Sequence, residues 1–241
     1  MTNLIPTTKT KPNFILENQI ILAYGQPKIG KSTFASQMDN PIFLMTEPGL
    51  NSLETFQVKI DSWQRFLDVA AELAKNGNQF KNIVIDTVDN LFQFCERHVL
   101  EKAKVEHASD LAYGKGFTLI NNEFGRVIKK LSLLRYGLVF ISHSKEKEVD
   151  TRTGKLVKTI PSLPAGPSKI VMGLSDMILL FEPKEGKDKD GNTVETRVIR
   201  TKASRTYEAG ARIRGLADEI PLSFDSFKKS YENTVKQQGK N

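Results

Sequence analysis

The sequence contains a single cysteine, Cys95, among its 241 residues. One thiol excludes an intramolecular disulfide, and so little cysteine is typical of proteins from a reducing compartment. Cys95 ends the apolar segment 91–95, so we expect a small packed side chain there rather than a catalytic thiol. No second histidine or cysteine stands at the spacing of metal ligands, and we therefore expect no zinc site.

Long hydrophobic runs are also missing. No apolar stretch approaches the roughly 18 residues that a membrane-spanning helix requires. The first six residues, Met-Thr-Asn-Leu-Ile-Pro, lack the charged and apolar regions of a signal peptide. With 39% hydrophobic residues and a mean hydropathy of −0.34, the chain has enough apolar material for the core of one α/β domain. These features predict a cytoplasmic protein without a membrane partner.

Positive charge is unevenly distributed along the chain, whose formal net charge is +7. Residues 1–120 hold 12 of the 35 basic and 13 of the 28 acidic residues, which leaves 23 and 15 in residues 121–241. Such an excess favours a polyanionic partner, most simply nucleic acid. Solubility is the alternative explanation, and charge alone does not decide between the two.

The clearest motif is Gly25–Ser32, which reads G-x-x-x-x-G-K-S, the pattern of a phosphate-binding loop. Residues 19–24 predict a buried strand before it, and residues 33–38 predict a helix after it. The glycines allow a tight turn, and successive N–H groups can then form a nest for an anion. Lys31 would reach the β- and γ-phosphates of ATP, and the Ser32 hydroxyl would ligate Mg²⁺. The predicted nucleotide-binding residues are Gly25, Gln26, Pro27, Lys28, Ile29, Gly30, Lys31, Ser32 and Thr33.

Acidic residues stand at the ends of two further predicted strands, Glu47 after the first and Asp86 at the end of the second. Ligands of open α/β sheets bind beyond the carboxyl ends of the strands, and Glu47 is placed there. We predict either a general base that polarises the attacking water or an ordinary surface carboxylate. Asp86 ends the apolar run 82–86 in a Walker B pattern, which predicts an Mg²⁺ ligand opposite Ser32. Asp89 is the nearby alternative, ranked lower because it lies beyond the strand.

A further strand, predicted over residues 137–141, ends in Ser142 and His143. A polar group at that position can contact the γ-phosphate and report the state of the nucleotide. His143 is therefore a catalytic candidate, and a structural, hydrogen-bonded imidazole is the alternative.

The rest of the pattern predicts an α/β fold with a mostly parallel central sheet flanked by helices and with antiparallel strands toward the C-terminus. We divide the chain into a flexible N-terminal arm (1–13), an ATPase core (14–222) and a basic C-terminal helix and tail (223–241). Helices are predicted over 61–76 (with Trp63 in the core), 88–104, 117–134 and 224–237, and strands over 176–181 and 194–202 on either side of a turn at 187–192.

The region between His143 and the strand at 176–181 is predicted as a long connection. Two short strands, 148–149 and 156–160, flank a turn at 150–155. Residues 161–167 contain three prolines and a glycine, and we predict no regular structure for them. A connection of this length inside a compact domain is usually functional or disordered.

This ordered set of motifs resembles the RecA-type ATPase core, most closely the phage-encoded RecA-like ATPases that act as single-strand annealing proteins. The resemblance covers residues 14–222. It rests on the phosphate loop and on the segments Phe43–Leu50, Ile83–Asp86, Tyr113–Gly116 and Ile141–Lys145. It implies a RecA-like P-loop NTPase with ATP and Mg²⁺ as cofactors and Glu47 as the catalytic carboxylate. A phage origin would place the protein in the cytoplasm of a bacterial host.

The resemblance also implies partners. Members of this family bind single-stranded DNA and assemble side by side as homo-oligomers with ATP at the subunit interfaces. A single-strand-binding protein is a further expected partner. Lys202 and Arg205 are our candidates for basic residues that reach a neighbour's phosphates during catalysis. The DNA-binding loops would fall near 104–117 and 145–169, and the candidate residues in them are Lys104, Tyr113, Lys115, Lys145, Arg152, Lys155 and Lys158.

The sequence thus predicts an Mg²⁺-dependent ATPase that acts on single-stranded DNA in phage-type recombination, annealing or replication, with turnover stimulated by DNA. The chain is shorter than a full recombinase and has no obvious separate DNA-binding domain, which leaves strand exchange open. Three alternatives stay open as well. They are a nucleotide-gated DNA clamp or helicase-loader-like protein with little hydrolysis, a P-loop kinase of a small molecule, and a plain structural DNA-binding module.

Overall fold

The computed structural model describes residues 5–75, 77–152, 154–187 and 191–238. Its strands are β1 (Ile20–Gly25), β2 (Pro41–Met45), β3 (Phe56–Lys59), β4 (Asn82–Asp86), β5 (Gly137–Thr151), β6 (Gly154–Pro161), β7 (Met177–Lys187), β8 (Thr193–Arg200), β9 (Gly210–Ala211) and β10 (Glu219–Pro221). Its helices are α1 (Lys31–Ser36), α2 (Trp63–Leu73), α3 (Val88–Ala103), α4 (Lys115–Ser132), α5 (Ala165–Leu174) and α6 (Phe224–Gln238).

The strands form one sheet in the order β10-β8-β7-β1-β5-β4-β2-β3. Neighbours from β7 to β3 run parallel, whereas β8 is antiparallel to β7 and β10 is antiparallel to β8. This arrangement confirms the predicted α/β class. Gly25 pairs with His143 and Met45 pairs with Asp86, so the carboxyl ends of β1, β2 and β4 and the end of the parallel part of β5 meet at one edge of the sheet.

Helices cover both faces of the sheet because alternate strand residues point to opposite sides. On β5, Leu138 and Phe140 belong to one apolar core and Val139 and Ile141 to the other. Helices α2, α3, α4 and α5 pack on the first face, and α1 and α6 pack on the second. Trp63 and Cys95 are buried in the first core, as predicted.

Strand β5 is longer than predicted. Residues 138–143 pair with β1 inside the sheet, and residues 144–151 continue as an antiparallel hairpin with β6. Residues 148–149 are part of this strand, and the prediction that they form a separate short strand was wrong because the polar residues after Ile141 hid the continuity of β5. The predicted turns at 150–155 and 187–192 include residues 153 and 188–190, which lie outside the described residues.

The prediction of no regular structure over 161–167 was also wrong. Pro161 ends β6, and α5 begins at Ala165 with Pro164 as its N-cap and Pro167 in its first turn. Proline is tolerated there because the first N–H groups of a helix have no intrahelical partner. The rest of α5 and the short strands β3, β9 and β10 were not predicted either.

The two ends of the chain differ. Residues 5–13 are exposed and lie outside helices and strands, whereas residues 1–4 and 239–241 are outside the described part of the chain. Helix α6 buries Phe224, Phe227 and Tyr231 in the second core. The division into arm, core and tail stays a prediction. Within the described ranges, no helix is long and apolar enough to cross a bilayer.

Candidate functional site

The loop between β1 and α1 depends on two glycines. A Cβ at Gly25 would lie 2.2 Å from the carbonyl oxygen of Phe181 on the adjacent strand β7, and Gly30 has a φ of +118°. A side chain at either position would strain the backbone. Arg197 on β8 donates from Nη1 to the carbonyl oxygen of Ile29 at 3.3 Å, so the C-terminal half of the chain also holds the loop.

Lys31 is buried inside this loop, with 5% of its surface exposed. Its ammonium donates to the carbonyl oxygens of Gly25 at 2.9 Å and Gln26 at 2.8 Å. Burial lowers the pKa of Lys31, and nearby carboxylates, led by Asp86, oppose that shift. An ammonium held only by neutral carbonyls can exchange them for the anionic oxygens of a phosphate, which bind it more strongly.

The two residues predicted to hold Mg²⁺ are in contact. Ser32 Oγ donates to Asp86 Oδ2 at 2.6 Å. Burial raises the pKa of Asp86, while the hydrogen bond from Ser32 acts in the opposite direction. Magnesium prefers hard oxygen ligands of this kind and keeps several waters. The buried Thr87 hydroxyl, which has no hydrogen-bond partner among the described residues, lies beside them, so the donors present fit a hydrated magnesium ion.

Glu47 lies just beyond β2 on the same cleft. Its Oε1 is 3.3 Å from Nε2 of His143, and its Oε2 accepts a hydrogen bond from Nδ2 of Asn90 at 2.9 Å. The Glu47 and His143 side chains are about one-third exposed, at 35% and 33%. A carboxylate with this access can orient a water molecule, and the imidazole beside it can contact a phosphate oxygen.

One cleft of about 380 Å³ brings these groups together. Gly25 and Gln26 contribute through the carbonyls that hold Lys31, and Ile29 is buried beneath the loop. The other predicted nucleotide, metal and base residues line the cleft directly, and they are Pro27, Lys28, Gly30, Lys31, Ser32, Thr33, Glu47, Asp86 and His143.

Asp89, the alternative metal ligand, is engaged elsewhere. Its Oδ1 accepts from the hydroxyls of Ser142 at 2.9 Å and Ser162 at 3.0 Å, and its Oδ2 accepts from the backbone N–H of His143 at 3.0 Å. It is buried, and Asp86 rather than Asp89 contacts Ser32. Asp89 therefore joins the middle of β5, where its parallel part ends, to the segment that precedes α5.

We expect Asp89→Ala to lower the free energy of unfolding by about 3 kcal/mol, because two hydroxyls and a backbone N–H lose a charged acceptor. Urea unfolding followed by circular dichroism measures the change. Asp61→Ala, which truncates an exposed carboxylate, is the control and should shift stability by less than about 0.5 kcal/mol. Equal midpoints for the two variants would contradict this role for Asp89.

Two of the predicted DNA-binding residues, Lys145 and Lys158, line a groove of about 900 Å³ together with Lys147 and Lys169. Lys145 donates to the carbonyl oxygens of Ser162 and Leu163, and Lys158 pairs with Glu208 at 2.7 Å. Lys147 and Lys169 are exposed and have no ion pair within the described ranges. The apolar part of the lining consists mainly of Val149, Ile160, Leu163, Met172 and Ile178.

The remaining DNA-binding candidates are spread over two other places. Lys155 pairs with Glu148 at 2.9 Å on the β5–β6 hairpin, and Arg152 is exposed near the hairpin tip. Lys104 and Tyr113 lie in the connection from α3 to α4, and Lys115 is the first residue of α4. Tyr113 is 99% exposed and has a φ of 58°. None of these residues lines the groove formed by the described residues.

Lys202 and Arg205 lie at the surface. Lys202 pairs with Asp218 at 2.9 Å and its side chain is 68% exposed, and Arg205 is exposed as well. Neither residue lines the nucleotide cleft in the described part of the chain. A catalytic role for them therefore requires a second copy of the chain.

Four residues around the site were missed from the sequence, and they are Thr87, Asn90, Ser162 and Arg197. Thr87 could have been found, because it directly follows Asp86. Asn90 could have been found, because it lies in the first turn of the helix that starts beside Asp86. Ser162 and Arg197 gave no local signal, because each lies far along the chain from its partner. Ser162 is 73 residues from Asp89, and Arg197 is 168 residues from Ile29.

Comparison with known proteins identifies the family. A family model described as an AAA domain matches residues 17–213. The SPbeta prophage-derived uncharacterized protein YorG of Bacillus subtilis strain 168 is 28% identical over 189 residues, which cover 75% of this chain and 55% of that protein. The chain thus spans little more than half the length of this relative. The family model matches most of the chain, and the phosphate loop lies at the edge of the sheet. The chain therefore belongs to the AAA domain family of P-loop ATPases.

Proposed function

We propose that this protein hydrolyses ATP with Mg²⁺ and couples hydrolysis to single-stranded DNA in phage-type recombination, annealing or replication. The observation that carries the proposal is the contact of Ser32 with Asp86 beside Lys31, with Glu47 on the same 380 Å³ cleft. A P-loop ATPase needs these groups within reach of one nucleotide.

The proposed mechanism uses the side chains and backbone N–H groups that surround the cleft. Ser32 and Asp86 would hold Mg²⁺, which neutralises charge on the phosphates. Lys31 and the loop N–H groups would bind the β- and γ-phosphate oxygens. Glu47 would orient the attacking water in line with the bond that breaks, and His143 would contact the γ-phosphate.

Single-stranded DNA is the proposed polymer because the excess positive charge lies in the second half of the chain and the lysine groove lies there too. Exposed lysines can bind backbone phosphates along such a groove. Exposed Tyr113 is a candidate stacking platform in the other predicted loop. The prophage origin of YorG fits a role in phage DNA metabolism.

We further propose side-by-side assembly with ATP at subunit interfaces, where Lys202 and Arg205 of one copy would approach the nucleotide of the next. Their exposure leaves them available for such a contact. Hydrogen bonds from Lys202 to Asp218 would have to be exchanged for phosphate contacts. A single-strand-binding protein remains a proposed further partner.

A second candidate function, a nucleotide-gated DNA clamp or loader with little hydrolysis, is favoured by one observation. Oε1 of Glu47, the carboxylate oxygen that does not accept from Asn90, already faces Nε2 of His143 at 3.3 Å. A carboxylate whose remaining oxygen is engaged by an imidazole turns over ATP slowly unless a conformational change releases it from His143. Turnover with DNA present separates the two candidates.

The DNA proposal is tested by replacing Lys147 and Lys169 together with alanine. We expect weaker binding to a fluorescent single-stranded oligonucleotide, a salt dependence shallower by about 1.4 in log–log slope (about 0.7 for each phosphate contact), and less DNA-stimulated ATPase. Fluorescence anisotropy at several salt concentrations measures both effects.

The matched control is Lys228→Ala with Lys229→Ala, which removes the same charge from the exposed side of α6 on the opposite face of the sheet. It should leave the slope nearly unchanged. Equal loss of binding in both double variants would show that net charge, and not the groove, attracts the DNA.

A further inference from the structure

We propose that Asn90 is a positioning residue for ATP hydrolysis and that it acts by orienting the carboxylate of Glu47. This inference rests on the proposed function, since it requires Glu47 to orient the attacking water. It goes beyond that function by naming a residue outside the motifs of the phosphate loop and of the strand ends.

The contact is a hydrogen bond between side chains of two different elements. Asn90 Nδ2 donates to Glu47 Oε2 at 2.9 Å, while Glu47 Oε1 lies 3.3 Å from Nε2 of His143. An ionised carboxylate only accepts hydrogen bonds, so the amide must present its NH₂ group. The amide therefore fixes which oxygen of Glu47 is directed toward His143.

Rigid surroundings hold Asn90 in place. It lies in the first turn of α3, whose residues Val88, Leu91 and Phe92 are buried in the core beneath the sheet. Its neighbour Asp89 is fixed by three hydrogen bonds, from Ser142 and His143 on β5 and from Ser162. The amide is thus a fixed donor, and Glu47, which follows β2 in a loop, is the more adjustable partner.

Asn90 does not itself face the nucleotide. The cleft formed by the described residues is lined by Glu47 and His143 but not by Asn90. Removal of the amide should therefore leave ATP binding intact and affect only the orientation of the carboxylate. Small displacements of a reacting group have large kinetic costs, because the water must be held in line with the phosphorus.

The variant that tests this is Asn90→Ala, assayed for steady-state ATP hydrolysis in the 241-residue protein with Mg²⁺ and single-stranded DNA. We expect kcat to fall about tenfold with KM for ATP unchanged. Asn90→Asp keeps the size of the side chain but replaces the NH₂ donor with a carboxylate, and its kcat should fall at least as far. Gln93→Ala, which removes an exposed amide one turn along the same helix, is the matched control and should behave like wild type.

A double-mutant cycle separates positioning from a general structural effect. In a Glu47→Gln background, Asn90→Ala should cause no further loss, because the group that it orients is already disabled. A loss of equal size in both backgrounds, a rise in KM that matches the fall in kcat, or wild-type kinetics of Asn90→Ala would overturn the inference while the proposed function stands. Absence of Glu47-dependent turnover in the wild type would overturn both.

Discussion

Replacement of Lys31 with alanine is expected to weaken ATP binding at least 30-fold, about 2 kcal/mol or more. Among the residues that the structure describes, the hydrogen-bond acceptors of the buried ammonium are the carbonyl oxygens of Gly25 and Gln26. When ATP binds, this ammonium would form charge-assisted hydrogen bonds with the phosphate oxygens, and no other side chain inside the loop can replace it. Isothermal titration calorimetry with Mg²⁺ and a non-hydrolysable ATP analogue measures the loss.

The Lys31 variant should remain folded. Burial already lowers the pKa of this lysine, which means that the protein interior disfavours its charge, and removing that charge costs the fold little. We expect a melting temperature within about 4 °C of wild type. Lys75→Ala, which removes an exposed lysine paired with Glu72, is the control and should keep wild-type affinity. Wild-type affinity in Lys31→Ala would exclude the loop as the phosphate site.

Replacement of Glu47 with glutamine is expected to lower kcat for ATP hydrolysis at least about 100-fold while ATP affinity stays near that of wild type. Glutamine keeps the size of the side chain, and its carbonyl oxygen can still accept the hydrogen bond from Asn90. It cannot polarise water as a carboxylate does. Steady-state hydrolysis together with calorimetric binding separates the two quantities.

The matched control for Glu47 is Glu54→Gln, which neutralises a carboxylate outside the residues that line the cleft. It should hydrolyse ATP at the wild-type rate. If wild type and Glu47→Gln hydrolyse ATP equally slowly in the presence of DNA, the nucleotide-gated clamp becomes the better description.

The arrangement of the candidate nucleotide site could be predicted from the sequence because its parts have local signatures. A phosphate loop is contiguous, and Glu47, Asp86 and His143 each follow an apolar run that folds as a strand. Parallel pairing then brings the ends of those strands to one edge, as the registers of Gly25 with His143 and Met45 with Asp86 show. The α/β class follows from the same alternation of strands and helices.

The connections between these parts could not be predicted in the same way. The role of Asp89 depends on Ser162, which lies 73 residues further along the chain and arrives through the β5–β6 hairpin. Helix α5 was missed because Pro164 and Pro167 look like breakers, although a helix accepts proline at its start. The groove with Lys147 and Lys169 exists only once that hairpin and that helix lie side by side.

The most direct test of the central claim is the rate of Mg²⁺-dependent ATP hydrolysis by the purified wild-type protein and by Lys31→Ala, each with and without single-stranded DNA. We predict turnover by the wild type that rises with DNA and disappears on chelation of the metal or in the lysine variant. ATP hydrolysis that persists unchanged in Lys31→Ala, or ATP that neither binds nor turns over in the wild type, would contradict the account.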